Sequence, residues 1–178
     1  MNRYEGFKEF VGARQQSLMR SAYLLTGSSP EAEDLLQTVL MRTAGHWPRV
    51  LRTGHPEAYV RKALINEHVS WYRRLRRRPE TLTAHPPDHG RVSGDESLHR
   101  LALREALQRL TPRQRAVLVL RFYEDRSVKE TAELLGCSTG TVKSQTSHAL
   151  GRLRDLAPEL ADLLSDVDPL EVTHDPAP

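Results

Sequence analysis

The chain has 178 residues, of which 38% are hydrophobic and 28% charged, with a mean hydropathy of −0.56; this suits one or two globular cores and excludes a fibrous or wholly disordered chain. Its net charge of +3 hides an asymmetry: Arg154 is the last basic residue, Asp155, Glu159, Asp162, Asp166, Asp168, Glu171 and Asp175 follow it, and residues 1–154 carry +10, as suits either an anionic partner such as nucleic acid or a solvated surface. Without an apolar run of about eighteen residues or an N-terminal h-region, no membrane segment or secretory signal is expected, which points to the cytoplasm.

The apolar residues follow helical spacing and no strand alternation is found, so the expected fold is all-α, with two small helical domains joined by a flexible linker. In the first domain, 1–78, Phe7, Phe10, Val11, Leu18, Ala22 and Leu25 share one helical face, and Gly27 suits a left-handed close. Ser28 or Ser29 then offers an N-cap, with Pro30 at the first helical position. The stripe Ala32, Leu35, Leu36, Val39, Leu40 and Thr43 defines a second helix ending near Trp47. A third is predicted from Pro56 to about Arg78, with Val60, Ala63, Leu64, Trp71 and Leu75 inward and Arg73, Arg74, Arg76, Arg77 and Arg78 at its end.

Residues 79–97, PETLTAHPPDHGRVSGDES, break every helical period with proline and glycine and are read as the linker, open to protease. The second domain, 98–157, opens with a helix from Ser97 to Leu110. Thr111-Pro112-Arg113-Gln114 is a capping box for the next helix, which carries Ala116, Val117 and Leu120. Ser127-Val128-Lys129-Glu130 is another, opening a short helix that carries Thr131, Ala132, Leu134 and Leu135 and stops at Gly136. Ser138 caps a last helix that buries Val142, Ala149, Leu150 and Leu153 and turns Thr139, Thr141, Lys143, Ser144, Gln145, Ser147, His148 and Arg152 outward. Residues 158–178 form an acidic tail.

A short helix, a tight turn at Gly136 and Cys137, and a second helix with a polar, basic outer face make a helix-turn-helix pattern, although an ordinary helical hairpin shares it. The helix N-terminus suits phosphate, and Lys143, Gln145 and His148 are long enough to reach base edges. Enzymatic readings fare worse. Gly136-Cys137-Ser138-Thr139-Gly140 fits a nucleophile elbow by letters, but that motif needs a preceding strand where a helix is predicted. Cys137 is the single cysteine, and prolines separate His85 from His89, so neither a disulfide nor a metal site is expected; no phosphate-binding glycine loop or other cofactor motif is present.

Ala32-Glu33-Asp34-Leu35-Leu36-Gln37, Glu57-Ala58-Tyr59-Val60 leading to Asn66 and the arginine run, and Leu110-Thr111-Pro112-Arg113-Gln114-Arg115 with Gly140-Thr141-Val142-Lys143-Ser144 resemble bacterial extracytoplasmic-function (group IV) sigma factors, in order, over about residues 7–157. The resemblance implies sigma region 2 in the first domain and sigma region 4 in the second, directing RNA polymerase core to promoter DNA. It implies core contacts at Asp34, Gln37, Thr38 and Met41, on the clamp of the largest subunit, with a further contact to the flap; Thr38 stands where an acidic residue is usual. It places minus-10 recognition on Tyr59, Arg61, Asn66, Ser70, Arg73, Arg74, Arg76 and Arg77, and minus-35 recognition on Arg121, Thr139, Thr141, Lys143, Ser144, Gln145, Ser147 and His148. Gln145 and His148 depart from the arginines of many relatives, so the promoter sequence does not carry over. The linker is expected to thread toward the polymerase cleft, with Asp88, Asp95 and Glu96 mimicking nucleic-acid charge, and an anti-sigma factor or the acidic tail is expected to hold the protein inactive. The competing classes are a stand-alone helix-turn-helix regulator, which needs no polymerase, and a helical protein adaptor, which binds no DNA.

Overall fold

The structure is a computed structural model that describes residues 4, 6–76 and 98–160. All the regular structure among them is helical, and the chain divides into two compact units, Met1–Pro87 and Asp88–Pro178. The expected linker, with Asp88, Asp95 and Glu96, lies outside the described residues, as do Arg77, Arg78, His85 and His89.

The first unit contains α1 (Phe7–Thr26), α2 (Ser29–Gly45), α3 (Trp47–Leu51) and α4 (Pro56–Arg76). Gly27 ends α1 with φ 77°, a left-handed conformation that costs glycine little, and its N–H donates to the Tyr23 carbonyl at 2.7 Å. Ser28 caps α2 by accepting from the Glu31 N–H, with Pro30 in the first turn where no intrahelical donor is needed. Both caps fall where the sequence places them.

The core takes Leu18, Ala22 and Leu25 from α1, Leu36 and Val39 from α2, Val50 from α3, and Val60 and Leu64 from α4, all buried. Each fully buried leucine or valine among them contributes about 1.5–3 kcal/mol. The short α3 is not anticipated by the sequence reading, because Trp47 looks like the end of the α2 stripe. Instead Trp47 starts a new helix, is 1% exposed, and meets Phe7 and Phe10 of α1 at ring-centroid distances of 5.1 and 5.0 Å. Trp47→Ala would remove the ring that ties α3 to α1, at a cost of about 3–5 kcal/mol.

The second unit contains α5 (Leu98–Gln108), α6 (Pro112–Leu118), a π-helical turn over Val119–Tyr123, α7 (Val128–Leu135), α8 (Thr139–Leu156) and a 3-10 turn, Pro158–Leu160. Both expected capping boxes form: Thr111 with Gln114 opens α6, and Ser127 with Glu130 opens α7. Val117, Val128, Ala132 and Val142 make one apolar cluster, against which Leu135 and Cys137 pack. The packed unit runs past the expected boundary at 157. Leu160 is 3% exposed, and the turn that carries it contacts α5 and α8. Residues 161–178, the rest of the expected acidic tail, are outside the described part.

The π-helical turn is a second departure from the sequence reading, which expects one plain helix carrying Leu120. The Glu124 N–H reaches the Val119 carbonyl and the Arg126 N–H the Leu120 carbonyl, each at 2.9 Å, while Asp125 takes φ 50°. Arg121 follows buried Val117 by four residues on the inner face, and this wider turn brings the Arg126 carbonyl within reach of its guanidinium.

Candidate nucleic-acid interface

In the second unit the site is built on α8. Gly136, at φ 61°, ends α7 with its N–H on the Ala132 carbonyl, and the next residue, Cys137, rests against the apolar cluster. Ser138 Oγ then accepts from the Thr141 N–H at 3.1 Å and starts α8. Val142, Thr146, Ala149, Leu150 and Leu153 point inward, and the Thr146 hydroxyl is satisfied by the Val142 carbonyl at 2.8 Å. That inward set leaves Thr139, Lys143, Ser144, Ser147 and His148 exposed on the opposite face, at the three- and four-residue spacings that align side chains on a helix. Thr141 and Gln145 sit half-buried at its margin. A helix precedes Gly136, so the Gly136–Gly140 segment lacks the strand that a nucleophile elbow requires.

Arg121 does not belong to this face. Expected among the minus-35 contacts, it is 0% exposed and donates from Nη1 to the Arg126 carbonyl at 2.7 Å. Burial lowers its pKa, and the nearby Asp125 carboxylate acts in the opposite sense; a guanidinium still keeps its charge. Arg121 is instead a brace of the π-helical turn.

In the first unit, Tyr59, Asn66 and Arg73 are seven residues apart along α4 and all exposed, with Ser70 half-buried beside them. Tyr59 Oη is 2.9 Å from His46 Nε2, and both residues line a surface hollow with Arg49, Val50 and Thr53. Arg61 departs from the expected minus-10 set. Its Nε and Nη2 donate to Glu57 at 3.2 and 2.8 Å, and Nη1 reaches Ser21 Oγ at 3.2 Å, so the guanidinium ties α4 to α1 rather than facing out. Arg76 closes α4, and Trp71, half-buried, stands edge-on to Tyr72 at 5.1 Å.

Arg74 is exposed, but its Nη2 donates to Glu67 Oε1 at 2.7 Å, and Arg42 of α2 binds the other oxygen of the same carboxylate. Burial raises the Glu67 pKa, yet the hydrogen bonds and charges of Arg74 and Arg42 outweigh it and hold the carboxyl below the usual glutamate value. On α2, Asp34, Gln37 and Met41 share an exposed stripe with half-buried Thr38 at its edge, and Met41 is 76% exposed.

Sequence reasoning missed His46, Glu67 and Arg115. His46 and Glu67 meet partners brought in by tertiary packing, with no local signal. Arg115 lies inside a quoted motif, yet its role is visible only when α5 ends against it.

Residues 10–78 match sigma-70 region 2, and residues 100–153 match sigma-70 region 4. An RNA polymerase sigma-E factor of Streptomyces avermitilis is 42% identical over 153 residues, covering 84% of this chain and 83% of that one. The ECF RNA polymerase sigma factor SigG of Mycobacterium tuberculosis is 32% identical over 186 residues, covering 86% of this chain and 49% of that one. This chain is an extracytoplasmic-function sigma factor. As such it directs transcription initiation by RNA polymerase. The sigma factor RpoE of Bartonella quintana, solved in complex with the anti-sigma factor NepR, has a similar fold, with a TM-score of 0.62 and 26% identity, covering 84% of this chain and 95% of that one. Among the described residues of this sigma factor, no helix is long and apolar enough to cross a membrane.

Proposed function

We propose that this sigma factor binds RNA polymerase core through Asp34, Gln37, Thr38 and Met41 of α2, captures the minus-10 element on α4, and reads the minus-35 element with α8, working as a cytoplasmic, non-enzymatic initiation factor. The observation that carries the proposal is the outer face of α8. A Ser138-capped helix start presents Lys143, Ser144, Ser147 and His148 together, away from the core. Helix N-termini favour phosphate, and these side chains are of the size and polarity that a major groove accepts.

For the minus-10 element, an unstacked base offers a π face and free edges, which call for aromatic, amide and cationic partners. Tyr59 beside the hollow, Asn66 one turn-pair further along α4, and the exposed Arg73 and Arg74 supply those groups. On α2, exposed Met41 between polar neighbours is a combination suited to a protein partner.

Core polymerase, with contacts at clamp and flap, and promoter DNA are the partners this reading requires. An anti-sigma factor is a third, supported by the Bartonella complex of a sigma factor with NepR. Run-off transcription with core polymerase on a promoter library, paired with gel shifts with and without core, tests the assignment. Products sharing upstream motifs, made only with core present, are expected; operator binding independent of core would instead identify a stand-alone regulator, and no DNA binding at all an adaptor.

A further inference from the structure

Resting on the reading of α4 as a DNA-binding helix, we infer that Glu67 is an internal stand-in for a DNA phosphate, which Arg74 leaves when the promoter binds. Three side chains carry the inference. Arg74 of α4 donates to one Glu67 oxygen at 2.7 Å, and Arg42 of α2 donates to the other. The two arginine side chains are 58% and 60% exposed, whereas Glu67 is 14% exposed. The anion is therefore sunk between two cations whose outer parts stay in solvent.

A guanidinium uses the same planar fork for carboxylate and phosphate, so the two anions compete for Arg74. Exchange in a simple pair would leave a bare, partly buried carboxylate close to the incoming phosphate, and like charges at short range oppose binding. Arg42 removes that obstacle, because it stays on Glu67 after Arg74 has gone. The depressed Glu67 pKa agrees: the carboxylate is ionised at neutral pH and available as a competitor. Arg73, the exposed neighbour of Arg74, meets no carboxylate among the described residues. Two adjacent arginines would thus contribute unequally to promoter affinity, with Glu67 setting the share of Arg74.

The device has a sign that a purely structural ion pair lacks. Removing the competitor tightens DNA binding, whereas removing Arg42 strengthens the hold of Glu67 on Arg74 and weakens it. With the arginine end in solvent the pair is worth about 0.2–1 kcal/mol, so Glu67→Gln is expected to raise promoter affinity by about 1.4- to fivefold. Salt also screens the internal pair, which in the native protein offsets part of the loss of phosphate contacts. Glu67→Gln is therefore expected to steepen the slope of log affinity against log salt, by less than the roughly 0.9 of one full phosphate contact.

The experiment is promoter binding by holoenzyme, at saturating core, over a salt series for the native chain, Glu67→Gln, Arg42→Ala and Arg74→Ala. Tighter, steeper binding by Glu67→Gln and weaker binding by Arg42→Ala support the inference; unchanged or weaker binding by Glu67→Gln overturns it. If Arg74→Ala flattens the slope while Glu67→Gln does nothing, the inference alone falls. If Arg74→Ala also leaves the slope untouched, the assignment of Arg74 to phosphate falls with it. Thermal unfolding of each variant guards against misfolding, and should Glu67→Gln unfold, Arg42→Ala decides: weaker binding supports the competition and unchanged binding overturns it.

Discussion

Arg115 of α6 donates from Nε to the Leu107 carbonyl of α5 at 2.8 Å, and its Nη2 reaches the carbonyls of Gln108 and Leu110 at 2.9 and 3.3 Å. The last carbonyls of a helix have no intrahelical donor, and a cation at that end also complements the helix dipole. Arg115, 1% exposed, thus closes α5 from the neighbouring helix.

Arg115→Ala would remove this donor from all three carbonyls, of which Leu107 keeps the Leu110 N–H, and a cost of about 1–3 kcal/mol to the second unit is expected. Arg115→Lys is expected to recover only part, since one ammonium cannot match the planar fork. Urea denaturation of the full chain, followed by helical circular dichroism, measures both; a loss under about 0.5 kcal/mol for Arg115→Ala would contradict the closure role, that being the effect of an ordinary surface change.

Two glycines, one just before α8 and one within it, should respond with opposite signs. Gly136 sits at φ 61° with open space where a β-carbon would stand, so Gly136→Ala is strained by its backbone alone and is expected to cost about 1–2 kcal/mol. Gly151 lies within α8, also with open space at that position, and Gly151→Ala is expected to stabilise by about 0.5–1 kcal/mol. Melting curves of the two variants test the pair.

The α7 capping box has a pH signature. The Glu130 pKa is lowered chiefly by the Ser127 backbone N–H, which donates to its Oε2 at 2.8 Å; burial opposes this, and Ser127 Oγ and Arg126 assist it. A lowered folded-state pKa means stability that is present above the unfolded value, near about 4.3, and lost as pH falls through the lower folded one. Glu130→Gln preserves an acceptor for the Ser127 N–H but cannot titrate, so its stability curve is expected to be flatter on that acid limb. Ser127→Ala is expected to cost about 1 kcal/mol at neutral pH. Unfolding free energies across the acid range check both.

On α8, exposed Lys143 and half-buried Gln145 at the margin of its outer face are expected to divide affinity from choice. Lys143→Ala should weaken binding evenly across promoters and lower the salt slope by about 1, as for a lost phosphate contact. Gln145→Arg should change the preferred upstream base, by about 1–3 kcal/mol of discrimination, because an amide pairs with adenine and a guanidinium with guanine. Selection from a randomised upstream element reads both; identical motifs for the native chain and Gln145→Arg would remove Gln145 from base reading.

The buried position of Arg121 shifts its expected phenotype from DNA affinity to folding. Arg121→Ala should lower the unfolding midpoint of the second unit, and any loss of promoter binding should follow the unfolded fraction.

Local chemistry made much of this protein legible. The caps at Ser28, Ser127 and Ser138, the capping box at Thr111 and Gln114, and the glycine stops at Gly27 and Gly136 are satisfied within a few residues, so their signatures sit in the linear order of the chain. The same holds for the α8 face, because burying Val142, Ala149, Leu150 and Leu153 forces Lys143, Ser147 and His148 outward. Tertiary structure decided which arginines face solvent. Arg61, Arg115 and Arg121 find partners inside at Ser21 of α1, the carbonyls of the α5 terminus and the Arg126 carbonyl, while Arg73 stays out and Arg74 meets Glu67. A guanidinium on a long stem settles wherever unsatisfied carbonyls, hydroxyls or carboxylates come within reach, and those partners are assembled only when the helices pack.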